Sequence, residues 1–105
     1  MKHPSVMVKL VVSPSDKKTK RFKAVFTYDD NKTKTTHFGL RNPQKGTYID
    51  HKDKELRKNY RARHKKDLKT KDYTRAGYLS YYILWGDKTN LRDAVNDYKK
   101  RFNLK

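Results

Sequence analysis

Hydrophobic and polar residues alternate through the first forty positions, and the parity is kept within each run. Val6, Val8, Leu10 and Val12 share one side of an extended chain, with Lys9 on the other. Phe22, Ala24, Phe26 and Tyr28 follow in strict alternation with Arg21, Lys23, Val25 and Thr27. The run "TKTTHFGL" then sets Thr36, Phe38 and Leu40 together. A period of two marks a half-buried strand, and the separators "SPSDK" and "DDNK" are rich in turn-forming residues. Short connections favour antiparallel pairing, which predicts a three-stranded β-meander over residues 1–40 with one face packed and one wet. Lys9, Lys23 and Lys34 are expected on the wet face.

Beyond a connecting loop at 41–49, broken by Pro43 and Gly46, the period changes to that of a helix. One helix is predicted over 51–66 with Asp50 as its N-cap. A second is predicted over 75–85, started by Thr74 and stopped by Gly86, and a third over 90–102, started by Thr89. In the third, Leu91, Ala94, Val95, Tyr98 and Phe102 form one narrow apolar stripe. The expected fold class is therefore α+β: an N-terminal three-stranded antiparallel β-meander packed against three C-terminal helices (residues 50–105). With 105 residues, the chain fits a single domain, 1–105.

Composition sharpens this picture. Only 33% of residues are hydrophobic and 37% are charged, so the core is thin, but eight Tyr, four Phe and one Trp compensate by burying a large area each. The formal net charge is +17, and it is spread along the chain: residues 1–46 hold 11 basic and 3 acidic residues, residues 47–105 hold 17 and 8. Such a charge opposes compaction and favours polyanionic partners, nucleic acid first, acidic membrane surfaces or acidic protein next. There is no cysteine, which excludes disulfides, thiolate catalysis and Cys-ligated zinc. The longest uncharged run, "AGYLSYYILWG" at 76–86, is too short to span a bilayer. "VMVKLVV" is interrupted by Lys9 and lacks a cleavage site, so secretion through a signal peptide is not expected.

Within the first predicted helix, Lys54, Arg57, Lys58, Arg61 and Lys65 fall on a single stripe, while Ile49, Leu56 and Tyr60 fall opposite and can dock on the sheet. Glu55 is the only acid near the stripe. An ordinary solvated face mixes signs through i,i+4 pairs, whereas like charges four apart repel. The imbalance favours polyanion contact over a merely wet surface, and five phosphate contacts correspond to a log–log salt slope of roughly −4 to −5 on duplex DNA. Arg63 shares the angle of Leu56 and Tyr60. It reads as an inward arginine in a structural ion pair with Asp67, or with Asp50 or Asp53; the sharper alternative is an anion-binding arginine beside His64. The middle helix is apolar on nearly every side. It is either buried between two layers or it presents Tyr81 and Trp85 to a partner.

Catalytic chemistry finds little support. "DHKD" (50–53) and "RH" (63–64) supply His51, Asp53 and His64 for a conceivable metal-dependent nuclease, but the spacing matches no zinc-ligand pattern and no second carboxylate cluster converges on it. No phosphate loop and no Ser/His/Asp constellation can be traced. A non-enzymatic protein without cofactor or metal is expected.

Five motifs, "HFG" (37–39), "YIDHKD" (48–53), "YRARH" (60–64), "TRAGYLSYYILWG" (74–86) and "YKKRF" (98–102), resemble a family of small basic proteins of unknown function. Its members are encoded by large nucleocytoplasmic DNA viruses of algae and other protists. The resemblance covers the last two thirds of the chain; the strands before it look generic. It implies a viral accessory or virion component, located in the virion or the infected host cell. One expectation is a DNA-binding protein aiding genome packaging. The other is a minor capsid protein bridging capsid proteins or an anionic internal membrane.

Overall fold

The computed structural model describes residues 8–40 and 46–105; Val6 and the loop residues 41–45, Pro43 among them, lie outside the described residues. Strands β1 (Lys9–Pro14), β2 (Lys20–Thr27) and β3 (Thr33–Leu40) form one antiparallel sheet in the order β1-β2-β3. The α+β arrangement read from the alternation is the one observed. Register follows parity: Leu10 lies opposite Phe26, Val12 opposite Ala24, and Phe22 opposite Phe38. This puts Leu10, Ala24, Phe26 and Phe38 on one fully buried face. Gly39 has a positive φ of 79°, and a Cβ there would meet Leu84 Cδ1 at 2.9 Å, so the end of β3 needs glycine to approach the helical layer.

Lys34 departs from expectation. It pairs with Phe26 across the ladder and therefore stands on the packed side. Its long stem runs to the margin of that face, where Nζ donates to Thr74 Oγ1 at 2.8 Å. Lys9 and Lys23 do lie on the opposite face.

The helix predicted over 51–66 is two helices. α1 (Tyr48–His51) ends at Lys52, whose φ of 59° is left-handed, and α2 (Lys54–His64) restarts behind Asp53. The Asp53 carboxylate accepts from the N–H groups of Glu55 and Leu56, making it the N-cap of α2. Asp50 is committed elsewhere: it accepts from Thr47 N–H and Thr47 Oγ1 and forms a two-pronged pair with Arg21, both contacts 2.7 Å. A 3-10 turn over Lys65–Thr70 follows and ends at left-handed Lys71.

The middle helix also differs. α3 (Ala76–Leu79) widens into a π-helical turn over Ser80–Leu84, closed by Trp85 N–H donating to Ser80 O at 3.1 Å. Thr74 does not cap it, because its carbonyl accepts from Thr36 and its hydroxyl donates to Asp72 while accepting from Lys34. α4 (Leu91–Arg101) is capped by Asn90 instead of Thr89, through Asp93 N–H to Asn90 Oδ1.

The helical layer closes over the apolar sheet face. Leu79, Ile83 and Leu84 from the α3 and π turns, with Ala94 and Tyr98 of α4, join the buried strand residues in one core. Beside it, Lys105 exchanges backbone hydrogen bonds with Val8 and Leu10, covering part of the outer edge of β1. Tyr98 is fully buried, and its hydroxyl donates to Tyr73 O. Desolvation drives its phenol far above the ordinary tyrosine range. Tyr98→Phe is expected to cost about 1–2 kcal/mol by orphaning that carbonyl, read as a Tm drop of roughly 5–10 °C in a thermal melt.

Candidate polyanion-binding surface and the adjoining cleft

α2 turns Leu56, Arg57, Tyr60, Arg61 and His64 partly inward, and leaves Lys54, Lys58 and, just past its end, Lys65 exposed on one stripe. The five-residue cationic stripe is therefore two groups with different work. Arg61 donates through Nε to Trp85 O at 2.8 Å and pairs with Asp87 at 2.9 Å. Arg57 donates to Gly86 O, reaches Asp87 at 3.6 Å, and lies over the Tyr48 ring. The two arginines clamp the residues after the π turn onto α2, and they hold the Asp87 carboxyl below its usual range, Arg61 most strongly. Lys54, Lys58 and Lys65 form no ion pair among the described residues. Lys54 and Lys65 are separated by roughly 16 Å of helix axis, a length over which one DNA strand carries about five phosphates.

Arg63 is exposed and not interior, and the expected Arg63–Asp67 and Arg63–Asp53 pairs are not formed among the described residues. The inward face of α2 is fixed by stacking of Tyr60 on Trp85, centroids 4.4 Å apart and planes within 8°, which rotates Arg63 to the margin. Asp67 meets His64 Nδ1 at 3.2 Å, and Asp53 serves as the cap. His51 and Asp53 thus meet through the Asp53 N–H, while His64 is engaged apart from them by Asp67. Among the described residues no three His, Asp or Glu side chains gather as a metal site. His51 Nδ1 accepts from Asp53 N–H, while its buried Nε2 has no hydrogen-bond partner among the described residues.

Tyr81 and Trp85 do not stand free as a bare aromatic patch. Tyr81 is half-buried with the Arg61 guanidinium 5.9 Å from its ring centre, and Trp85 lies between Tyr60 and His51. Next to this stack opens a cleft of about 370 Å³ lined by Lys20, Thr47, Tyr60, His64, Ser80 and Trp85, among others. Burial pushes the Tyr60 phenol up, with the Asp67 carboxylate adding to it. No periodic pattern signals the cleft, since it is built where α2 meets the π turn.

The second cationic area is the sheet face turned away from the helices. Lys9 is exposed there and Lys23 half-buried; Arg21, of the same parity, is bound to Asp50. The Arg21–Asp50 pair went unforeseen, although "TYID" (47–50) carries the Thr-x-x-acid spacing of a capping box. Val11 on this face is 60% exposed.

These features define a small, very basic α+β module with two lysine-bearing surfaces. The sequence model of a family of unknown function (DUF5754) matches residues 10–64, just over half of the chain, and the protein belongs to that family. The matched span takes in the three strands apart from Lys9, including the two before "HFG" that looked generic, and ends with α2; the motifs from Thr74 onward lie beyond it. No curated protein matches the chain, and no solved structure does. Among the described residues no helix is long and apolar enough to cross a membrane.

Proposed function

We propose that this is a non-enzymatic, nucleic-acid-binding protein of a large DNA virus, contacting the phosphate backbone of DNA and serving in genome packaging. The carrying observation is the stripe of Lys54, Lys58 and Lys65, exposed and without carboxylate partners among the described residues in a chain of net charge +17. Lys9 and Lys23 add two cations from the sheet. Arg57 and Arg61 act indirectly, by fixing α2 so that the lysines are presented on a rigid element. Phosphate contacts of this kind position a protein without reading sequence. The viral setting rests on the resemblance of "YIDHKD", "YRARH" and "GYLSYYILW". A role bridging capsid proteins or an anionic membrane is the less favoured reading, because the aromatic residues it would use as anchors are packed against α2.

Changing Lys54, Lys58 and Lys65 together to Gln is expected to weaken duplex DNA binding by about tenfold or more and to reduce the salt slope by about 3. Since the three side chains form no ion pair among the described residues, Tm should move by no more than a few degrees. Unchanged affinity in a fluorescence-anisotropy titration would remove α2 from the interface.

A further inference from the structure

The outer face of the sheet is chemically unlike the rest of the surface. Its rows are Lys9–Thr27–Thr33, Val11–Val25–Thr35 and Ser13–Lys23–His37. Val11 is the exposed large hydrophobic residue among the described residues. No strand residue on this face is acidic; of the nearby carboxylates, Asp50 is bound by Arg21 at 2.7 Å, and Asp16, Asp29 and Asp30 sit in the turns, with Asp30 facing Lys32 at 3.9 Å. The strand phenylalanines Phe22, Phe26 and Phe38 point to the opposite, packed side, as does Tyr28 just beyond β2.

That distribution selects the occupant. A sheet that binds unpaired bases offers free aromatic rings for stacking; here the one ring is His37, half-buried and held by Ser15 Oγ at 2.7 Å from its Nδ1. A second copy of the chain would bring Lys9 and Lys23 against their own likenesses, which repel. Polyanionic charge complements the face instead. Three strands about 4.8 Å apart make a face roughly 10 Å across, and the B-DNA major groove is about 12 Å wide, whereas the major groove of A-form RNA is closed to protein side chains. Within the major groove, valine and threonine methyls match the thymine C5-methyl, threonine hydroxyls meet either kind of base edge, and lysine suits guanine O6 and N7 or a phosphate.

We propose that the open face of the sheet lies in the major groove of B-form DNA, with Val11 and Val25 against thymine methyls, Lys23 toward base edges and Lys9 on the backbone. The proposal rests on the nucleic-acid reading and adds to it a preference for duplex DNA over duplex RNA and a modest preference for thymine.

The test is an anisotropy titration of the intact protein, at one fixed salt concentration, against three duplexes of one sequence: DNA, the same DNA with uracil for thymine, and RNA. The thymine duplex is expected to bind about tenfold tighter than RNA and about threefold tighter than the uracil duplex. Val11→Glu, at an exposed position on an edge strand, is expected to weaken DNA binding about tenfold with Tm preserved. RNA binding as tight as DNA, uracil as good as thymine, or an unaffected Val11→Glu protein would each overturn the groove assignment. A Val11-dependent dimer in sedimentation would overturn it in favour of a second copy. If those sheet tests fail while Lys54, Lys58 and Lys65 still matter, the phosphate reading stands without the groove; if no duplex binds, both fall.

Discussion

Gly86→Ala is expected to be among the most damaging single substitutions in the chain, costing about 3 kcal/mol or more. A Cβ at this position would lie 2.0 Å from Tyr82 O and 2.9 Å from Tyr82 C, backbone atoms of the π turn that cannot rotate away. Relief requires the turn itself to shift. That shift would displace Gly86 O and Trp85 O, the acceptors of Arg57 and Arg61, and loosen α2 from the core. The measurement is a thermal melt, in which Tm should fall by roughly 12 °C or more. DNA affinity should fall with it if the arginine clamp orients the lysine stripe. A variant that melts like the wild type would show that the π turn is not held as described.

Asp50→Ala is expected to cost about 2–3 kcal/mol, or roughly 10–15 °C in Tm. Asp50 joins three parts of the molecule: it receives Arg21 from β2, caps α1 through Thr47, and sits where the chain enters the helical half. The pair is partly solvated, so its Coulomb energy is screened and hydrogen bonding supplies much of the effect. The Arg21 hydrogen bonds hold the Asp50 carboxyl far below the ordinary range, opposed by burial and helped by Thr47. Asp72, bonded by Thr74, and Asp87, bonded by Arg61, are lowered as well. A carboxyl lowered on folding stabilises the native state above its unfolded value, near ~3.9 for aspartate. That contribution fades as pH falls through the folded value. Wild-type Tm should therefore decline steeply below about pH 4, and Asp50→Ala should start lower and decline less. Parallel curves would mean that Asp50 titrates alike in the folded and unfolded chains.

What was legible in the sequence was local. Period-two alternation in Phe22–Tyr28 and Thr36–Leu40 defined the strands, and the spacing of Leu91, Ala94, Val95, Tyr98 and Phe102 located α4, because one side of each element is buried and the other wet. Failures arose where a distant partner decides. Asp50 was expected to cap the first helix, but Arg21, remote in sequence, claims its carboxylate and Asp53 caps α2 instead. Arg57 and Arg61 share the helical angle of the lysines; what separates them is the carbonyls and carboxylate of Trp85–Asp87, which no local pattern reveals. Arg63 was expected inside because a straight 51–66 helix was assumed, and the break at Lys52 and the Tyr60–Trp85 stack reorient that helix. Lys34 shares the parity of Thr36 and Phe38, so its place on the packed side was readable from alternation alone.

On this account exposed Lys54, Lys58, Lys65 and Lys9, free of carboxylates among the described residues, engage phosphates. The most direct test is the affinity of the intact protein for duplex DNA across a series of salt concentrations. Four phosphate contacts, from Lys54, Lys58, Lys65 and Lys9, predict a log–log slope of roughly −3 to −4. A slope shallower than about −1 would mean that at most one phosphate is neutralised, and would contradict the claim.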